Sequence, residues 1–171
     1  MIPINTQVIS RERVAAHGEV FTAQREVNAM CDLVADQCND YRATFLEPAC
    51  GTGNFLAEIL SRKLARIPTD PDYPRKSLVA LSSLYGIDIL PDNVKACRKR
   101  LFDLWKDSHH FSEFHRVQAI RILNANIVCG DTLKPHTIKL TEWTISDEVT
   151  PANTFTLEEE MTGQIALNLE E

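Results

Sequence analysis

Residues 45–56 read F-L-E-P-A-C-G-T-G-N-F-L, a short apolar segment that runs into a glycine-rich turn. An apolar pattern with helical spacing follows the turn from Asn54 onward. A strand, a G-x-G turn and a helix start present backbone N–H groups and the positive end of the helix dipole to a ligand. The stretch therefore predicts a site for a nucleotide-like ligand at the end of a strand.

Two residues indicate which ligand this turn suits. A dinucleotide site needs a third glycine three residues after Gly53, and this chain has Leu56 there. Glu47, four residues before Gly51, places a carboxylate at the strand end, where it would repel phosphate but attract an ammonium group. S-adenosylmethionine carries an α-amino group and a sulfonium and has no phosphate, so the residues favour it over NAD.

Two further acids follow predicted strands. Asp88 in Y-G-I-D-I lies 37 residues beyond Gly51, where an acid can accept hydrogen bonds from ribose hydroxyls. The usual interval is about 20 residues, and a proline-rich loop with an extra helix accounts for the excess. We expect Ile89 to lie against adenine and Asp131, in C-G-D-T-L, to accept a hydrogen bond from the adenine amino group.

The order of elements predicts an α/β protein with a parallel sheet. Strands are expected at 43–48, 84–89 and 127–129. Helices are expected at 23–37, with Thr22 as the N-cap, and at 54–66 and 78–84. Two further helices are expected to begin at Pro91 and at Ser112, the second ending at about residue 123. After Lys134 the pattern weakens, and short strands are expected at 138–145, 154–157 and 165–169.

The four segments around these residues resemble one enzyme family. E-P-A-C-G-T-G-N-F-L (47–56) resembles the cofactor motif of amino-group DNA methyltransferases, the adenine-N6 enzymes of restriction–modification systems. H-G-E-V-F-T-A-Q-R-E-V-N-A-M (17–30) is similar to the preceding family segment, which usually has Thr-Pro where this chain has Thr22-Ala23. G-I-D-I and C-G-D-T-L match the next two elements in the family's order.

The resemblance implies a Rossmann-like S-adenosyl-L-methionine-dependent methyltransferase fold, with an incomplete parallel sheet and helices on both faces. It divides the chain into an N-terminal arm (1–16), a cofactor-binding domain (17–133) and an acidic extension (134–171). It places S-adenosyl-L-methionine against Phe21, Thr22, Glu47, Pro48, Ala49, Gly51, Gly53, Asn54, Phe55, Asp88, Ile89, Asp131 and Leu133. No metal is expected, because no cysteine or carboxylate cluster stands at ligand spacing beside His109 and His110.

Each of the three acids also has a structural alternative. Glu47 could form an ion pair with a helix, Asp88 could cap the helix at Pro91, and Asp131 could cap the turn after its strand. The basic run K-A-C-R-K-R (95–100) is interpreted as a solvated helix face, with DNA contact as the alternative.

One family element is missing from the sequence. Members carry Asn/Asp-Pro-Pro-aromatic after the third strand, which binds the flipped target base. No two of the eight prolines here are adjacent, and Asp70-Pro71-Asp72-Tyr73 falls in the wrong loop. No catalytic residue is therefore assigned. We expect half of a methyltransferase, completed by a partner subunit that supplies this loop and DNA recognition.

Charge and cysteine content agree with such a protein. Residues 140–171 contain eight acids and no basic residue, so with a net charge of −6 for the chain, residues 1–139 carry −6 + 8 = +2. A mildly basic body is compatible with DNA as partner. Five scattered cysteines favour reduced thiols in the cytoplasm, and we expect neither a signal peptide nor a membrane span.

Two other classes of function remain open: a non-catalytic cofactor-binding or interaction module, and a methyltransferase acting on RNA or a small molecule. If the sheet ends at three strands, the first strand is an exposed edge that self-association or the partner would cover. The acidic tail is expected to fold away from the cofactor face or to be poorly ordered, because its charge would repel DNA there.

Overall fold

The computed structural model describes residues 22–168, with side chains to residue 163. Three short strands, β1 (Phe45–Glu47), β2 (Leu84–Asp88) and β3 (Ile127–Cys129), form a parallel sheet in the order β1-β2-β3. The helices are α1 (Gln24–Leu33), α2 (Ala35–Asn39), α3 (Asn54–Arg66), α4 (Tyr73–Ser82), α5 (Pro91–Asp107), α6 (Glu113–Asn126) and α7 (Leu157–Asn168). The mixed α/β architecture with a parallel sheet is confirmed.

The central strand β2 is buried on both faces, and its side chains alternate between two separate cores. Leu84 faces the main core, which the helices build around Leu56, Leu60 and Trp105. A methyl group on Gly86 would lie 2.8 Å from Leu56 Cδ1. The strand therefore carries the glycine that lets α3 approach, and this glycine offsets the bulk of Leu56 on the helix.

A β-hairpin, rather than a second layer of helices, covers the other face of the sheet. Its strands are β4 (Lys139–Ile145) and β5 (Val149–Thr156). Tyr85 and Ile87 of β2 form the second core with four buried or partly buried residues of this segment, Ile138, Leu140, Phe155 and Leu157. The expected helices on both faces are therefore corrected to helices on one face and the hairpin, followed by α7, on the other.

The hairpin is fastened to the sheet by polar contacts as well. The Tyr85 hydroxyl donates to Thr141 O at 3.2 Å, and Trp143 Nε1 donates to Asn126 Oδ1 at 3.3 Å. The Asn126 amide in turn donates to Ser82 O at 3.0 Å. The first bond joins the hairpin to β2 and the second joins it to the end of α6, and together they satisfy buried polar groups.

Several expected element limits need correction. The first helix is interrupted at Val34, and its N-cap is Ala23 rather than Thr22, without a side-chain cap. The helix expected at 78–84 begins at Tyr73, because Pro74 fits the first turn. Residues 165–168 are helical within α7, so the strand expected there is wrong. The cap at Ser112 is confirmed by its bond from His115 N.

A buried lysine holds the starts of β1 and β2 together. Lys63 of α3 has no exposed surface, and its ammonium donates to Ala43 O and, at 2.6 Å, to Ser83 Oγ. Burial lowers the pKa of Lys63 to about 8. On the other side, β1 pairs with no strand of the described chain, so its outer edge is open there.

Candidate ligand-binding cleft

A cleft of about 390 Å³ lies at the carboxyl ends of the three parallel strands. This is where open α/β sheets bind ligands, and the volume falls within the roughly 300–1,000 Å³ of small-molecule sites. The cleft is lined by Thr22, Glu47, Pro48, Ala49, Cys50, Gly51, Asn54, Phe55, Asp88, Ile89, Leu90, Asn93, Gly130, Asp131, Thr132 and Leu133. The described part of the acidic tail contributes no residue to it, as expected.

Most of the residues assigned from the sequence meet in this cleft. They come from the three strand ends and from the segment before α1: Thr22, Glu47, Pro48, Ala49, Gly51, Asn54, Phe55, Asp88, Ile89, Asp131 and Leu133. Phe21 lies outside the described residues. Gly53 is the exception, because it does not line the cleft.

Gly53 serves the packing of the fold. Its φ is +84°, and a Cβ there would lie 2.6 Å from Cys97 Sγ on α5. The sequence assigned Gly53 to the ligand, but a side chain at this position would first collide with α5. Gly51 has a φ of +52° and does line the cleft.

Asp88 is the centre of the loops that shape the cleft. Its carboxylate accepts hydrogen bonds from Gly51 N (2.9 Å), Leu90 N (2.8 Å) and the Asn93 side-chain amide (3.2 Å). It thus joins the glycine turn to the start of α5. The structural alternative of Asp88 as the cap of this helix is not realised, because the N-cap of α5 is Leu90 and has no side-chain cap. Asp88 instead bonds the loops on either side of it.

Glu47 has no ion-pair partner among residues 22–163. The structural alternative of a salt bridge to a helix is therefore not realised in the described chain. Burial raises the pKa of Glu47, opposed by a hydrogen bond from the Ala49 backbone. A half-buried carboxylate that faces a cleft without a cation costs free energy, which a cationic ligand would offset.

Asp131 caps the turn after β3 and faces the cleft at the same time. It accepts a hydrogen bond from Leu133 N at 3.0 Å, and Lys134 Nζ lies 3.6 Å from its carboxylate.

Two apolar side chains at the rim of the cleft, Ile89 and Leu133, are 52% and 89% exposed. Exposed apolar groups beside a cleft provide surface for a planar or apolar ligand.

Asn54 connects the segment before α1 to the cleft. Its side-chain amide donates to Thr22 O at 3.1 Å, and its side-chain oxygen accepts from Arg100 of α5. These bonds hold Thr22 at the cleft wall. The sequence assigned both residues to the ligand but gave no sign of the bond between them.

Sequence reasoning missed five lining residues: Cys50, Leu90, Asn93, Gly130 and Thr132. All five lie next to assigned residues or within one helical turn of them, so adjacency was the available signal. A hydrogen bond with the Cys97 thiol and burial raise the pKa of the Cys50 thiol, which disfavours the nucleophilic thiolate.

Among the described residues, no cluster of histidine, cysteine, aspartate and glutamate has the geometry to hold a metal ion. No helix between residues 22 and 168 combines the length and hydrophobicity needed to cross a bilayer. Comparisons with protein-family models, curated proteins and solved structures each found no match for the chain.

Proposed function

We propose that the chain is the S-adenosyl-L-methionine-binding part of an adenine-N6 DNA methyltransferase with a Rossmann-like fold. The observation that carries the proposal is Glu47, a half-buried carboxylate without an ion-pair partner in the described chain, at the strand end that opens into the cleft. It suits the α-amino group of this cofactor and disfavours a phosphate.

The remaining lining residues fit the other parts of the cofactor. A carboxylate offers about four acceptor sites, and Asp88 already accepts three hydrogen bonds, which leaves one for a ribose hydroxyl. Ile89 and Leu133 supply exposed apolar surface suited to adenine. When bound, the cofactor supplies a methyl group on a sulfonium, and the chain's residues orient it.

The acceptor side of the reaction is absent from the residues of the cleft. No Pro-Pro-aromatic loop exists in the sequence, and the cleft contains no asparagine or aspartate in such a loop. A base without this clamp is not oriented toward the methyl group. A partner subunit is proposed to supply it and to bind DNA, and β1, which pairs on one side only among residues 22–168, offers backbone groups with which a further strand could pair.

The first prediction concerns the pH dependence of cofactor binding. The folded chain is expected to bind S-adenosyl-L-methionine in calorimetry, and affinity should increase as pH rises through the raised pKa of Glu47. The reason is that a cationic ligand binds the ionised form, so a proton leaves on binding below that pKa. Glu47→Gln should cost about 1–3 kcal/mol of binding at neutral pH and abolish this dependence.

Glu142→Gln is the matched control, because Glu142 is an exposed acid on the hairpin, outside the cleft. It should bind the cofactor like the unmodified chain at every pH. Equal binding by the Glu47→Gln chain would contradict the assignment of Glu47 to the amino group.

The second prediction is that the chain alone transfers no methyl group to DNA. Labelled cofactor and mixed-sequence DNA should give no labelled DNA, because the sequence lacks the Pro-Pro-aromatic loop that would orient the base. Transfer should begin when a chain carrying the Pro-Pro-aromatic loop is added. Transfer to DNA by this chain alone would show that the acceptor site has been misplaced.

A non-catalytic cofactor-binding module is the second candidate, favoured by the same missing loop. It predicts cofactor binding that no added methyltransferase subunit converts into transfer. The two candidates therefore agree on the first prediction and differ on the second.

A further inference from the structure

A stripe of apolar side chains covers the solvent side of α6. Phe114, Val117 and Ile120 are spaced three residues apart and are 48%, 44% and 47% exposed. The same helix buries Ala119 and Ile122 in the main core. Helix α6 is thus apolar on two sides, although the described chain covers only one of them.

The stripe is symmetric about Val117. Phe114 and Ile120 stand three residues before and after it, and Glu113 and Arg121 stand four residues before and after it. On a helix of 3.6 residues per turn, all four positions lie within about 60° of Val117. Apolar groups therefore flank the centre, and opposite charges flank the apolar groups.

This symmetry matches a second copy of the same helix. A two-fold axis through Val117, perpendicular to the helix, sets two copies of α6 antiparallel. Phe114 of each copy then lies at the level of Ile120 of the other, and Glu113 at the level of Arg121, within reach of these long side chains. A parallel arrangement would instead set Glu113 against Glu113, so the charges select the antiparallel one.

Arg121 is already held at the border of the stripe. Its Nη1 donates to Val149 O at 3.4 Å, and its guanidinium lies 5.6 Å from the centre of the Trp143 ring. A side chain that is ordered before association loses less conformational freedom on binding. These two contacts with the hairpin hold the Arg121 side chain beside α6.

We propose that the α6 stripe, defined by Glu113, Phe114, Val117, Ile120 and Arg121, is a self-association surface that pairs two copies of the chain about Val117. One helix per chain provides less than the roughly 800 Å² per partner of a stable complex, so the dimer forms reversibly and depends on concentration. No residue of α6 lines the cleft, so pairing leaves the cleft open.

Sedimentation equilibrium of the full chain over a wide concentration range tests the proposal. A monomer–dimer equilibrium is expected. Val117→Asp places two carboxylates on the two-fold axis and should weaken association about a hundredfold, since like charges in contact cost several kcal/mol. The control is Leu33→Asp on α1, an 85% exposed apolar residue outside the stripe, which should leave association unchanged.

A charge swap tests the antiparallel pairing itself. Glu113→Arg and Arg121→Glu, each alone, should weaken association about two- to fivefold, and the double variant should restore it because each copy then supplies the reversed pair. Circular dichroism checks that every variant is folded, and these exposed positions make unfolding unexpected.

Three results would each overturn the proposal. The chain could remain monomeric at every concentration, in which case a different protein or another segment of the chain covers the stripe. It could dimerise equally well with Val117→Asp, which would place the interface elsewhere. The double charge variant could fail to recover association, which would exclude the antiparallel pair about Val117.

Discussion

Gly53→Val is expected to destabilise the chain by about 3–5 kcal/mol, whether or not a ligand is present. The backbone at Gly53 has a φ of +84°, a conformation that a β-branched residue adopts only with strain. The new Cβ would also lie 2.6 Å from Cys97 Sγ, so α3 and α5 would have to separate. Urea denaturation followed by circular dichroism measures the loss.

The matched control is Gly163→Val, because a Cβ at Gly163 meets no atom within 4 Å. This change lies in a helix, where valine is favoured over glycine, and should be neutral or slightly stabilising. If the Gly53→Val chain kept its stability and lost only cofactor binding, Gly53 would be a ligand-binding residue and not a packing residue.

A double variant separates the collision from the backbone strain. Cys97→Ala removes the sulfur at 2.6 Å and leaves the Cys97 Cβ, which lies 3.4 Å from the position of the new Cβ. Gly53→Ala should therefore cost less in a Cys97→Ala chain than in the unmodified one, and the remaining cost measures the strain. Equal costs would show that the collision contributes nothing.

Asp88→Ala is expected to lower the free energy of unfolding by about 2–4 kcal/mol before any ligand is added. Three donors lose a charged acceptor at once: Gly51 N, Leu90 N and the Asn93 amide. The glycine turn and the start of α5 then lose their common tie. Thermal or urea unfolding of the ligand-free chain measures this cost, and calorimetry measures any further loss of cofactor affinity.

Asp131→Ala provides the comparison at a second strand end. The Asp131 carboxylate accepts one backbone bond in a more exposed turn and faces Lys134, so its loss should cost about 1 kcal/mol or less. A similar loss of stability in both variants would show that the three bonds of Asp88 contribute no more to the free energy of unfolding than the single bond of Asp131.

The positions of the cleft residues could be predicted from the sequence because their placement follows from local patterns. Strand and helix periodicities located β1, β2 and β3 to within about two residues. Parallel strands end at one edge of their sheet, so Glu47, Asp88 and Asp131 had to converge.

The bonds of these residues could not be predicted in the same way. A sequence pattern shows that Asp88 follows a strand, but its bond to Gly51 joins atoms 37 residues apart. Gly53 was assigned to the ligand from its place in the G-x-G turn, whereas its contact with Cys97, on another helix, follows only from the fold. The open alternatives for the three acids were decided by neighbours in space: Asp88 and Asp131 have structural bonds, and Glu47 has no ion pair in the described chain.

The order of elements from β1 to β3, the parallel sheet and the edge where the cleft lies could be obtained from the sequence, since all three follow from hydrophobic periodicity and chain connectivity. The sequence did not show that the hairpin 139–156 covers the second face of the sheet, where Leu140 and Phe155 pack on Tyr85 and Ile87. The tertiary structure shows this, and it also shows that one apolar side of α6 faces solvent. The reason is physical: periodicity records that a side chain is apolar, while its burial depends on which distant segment packs against it.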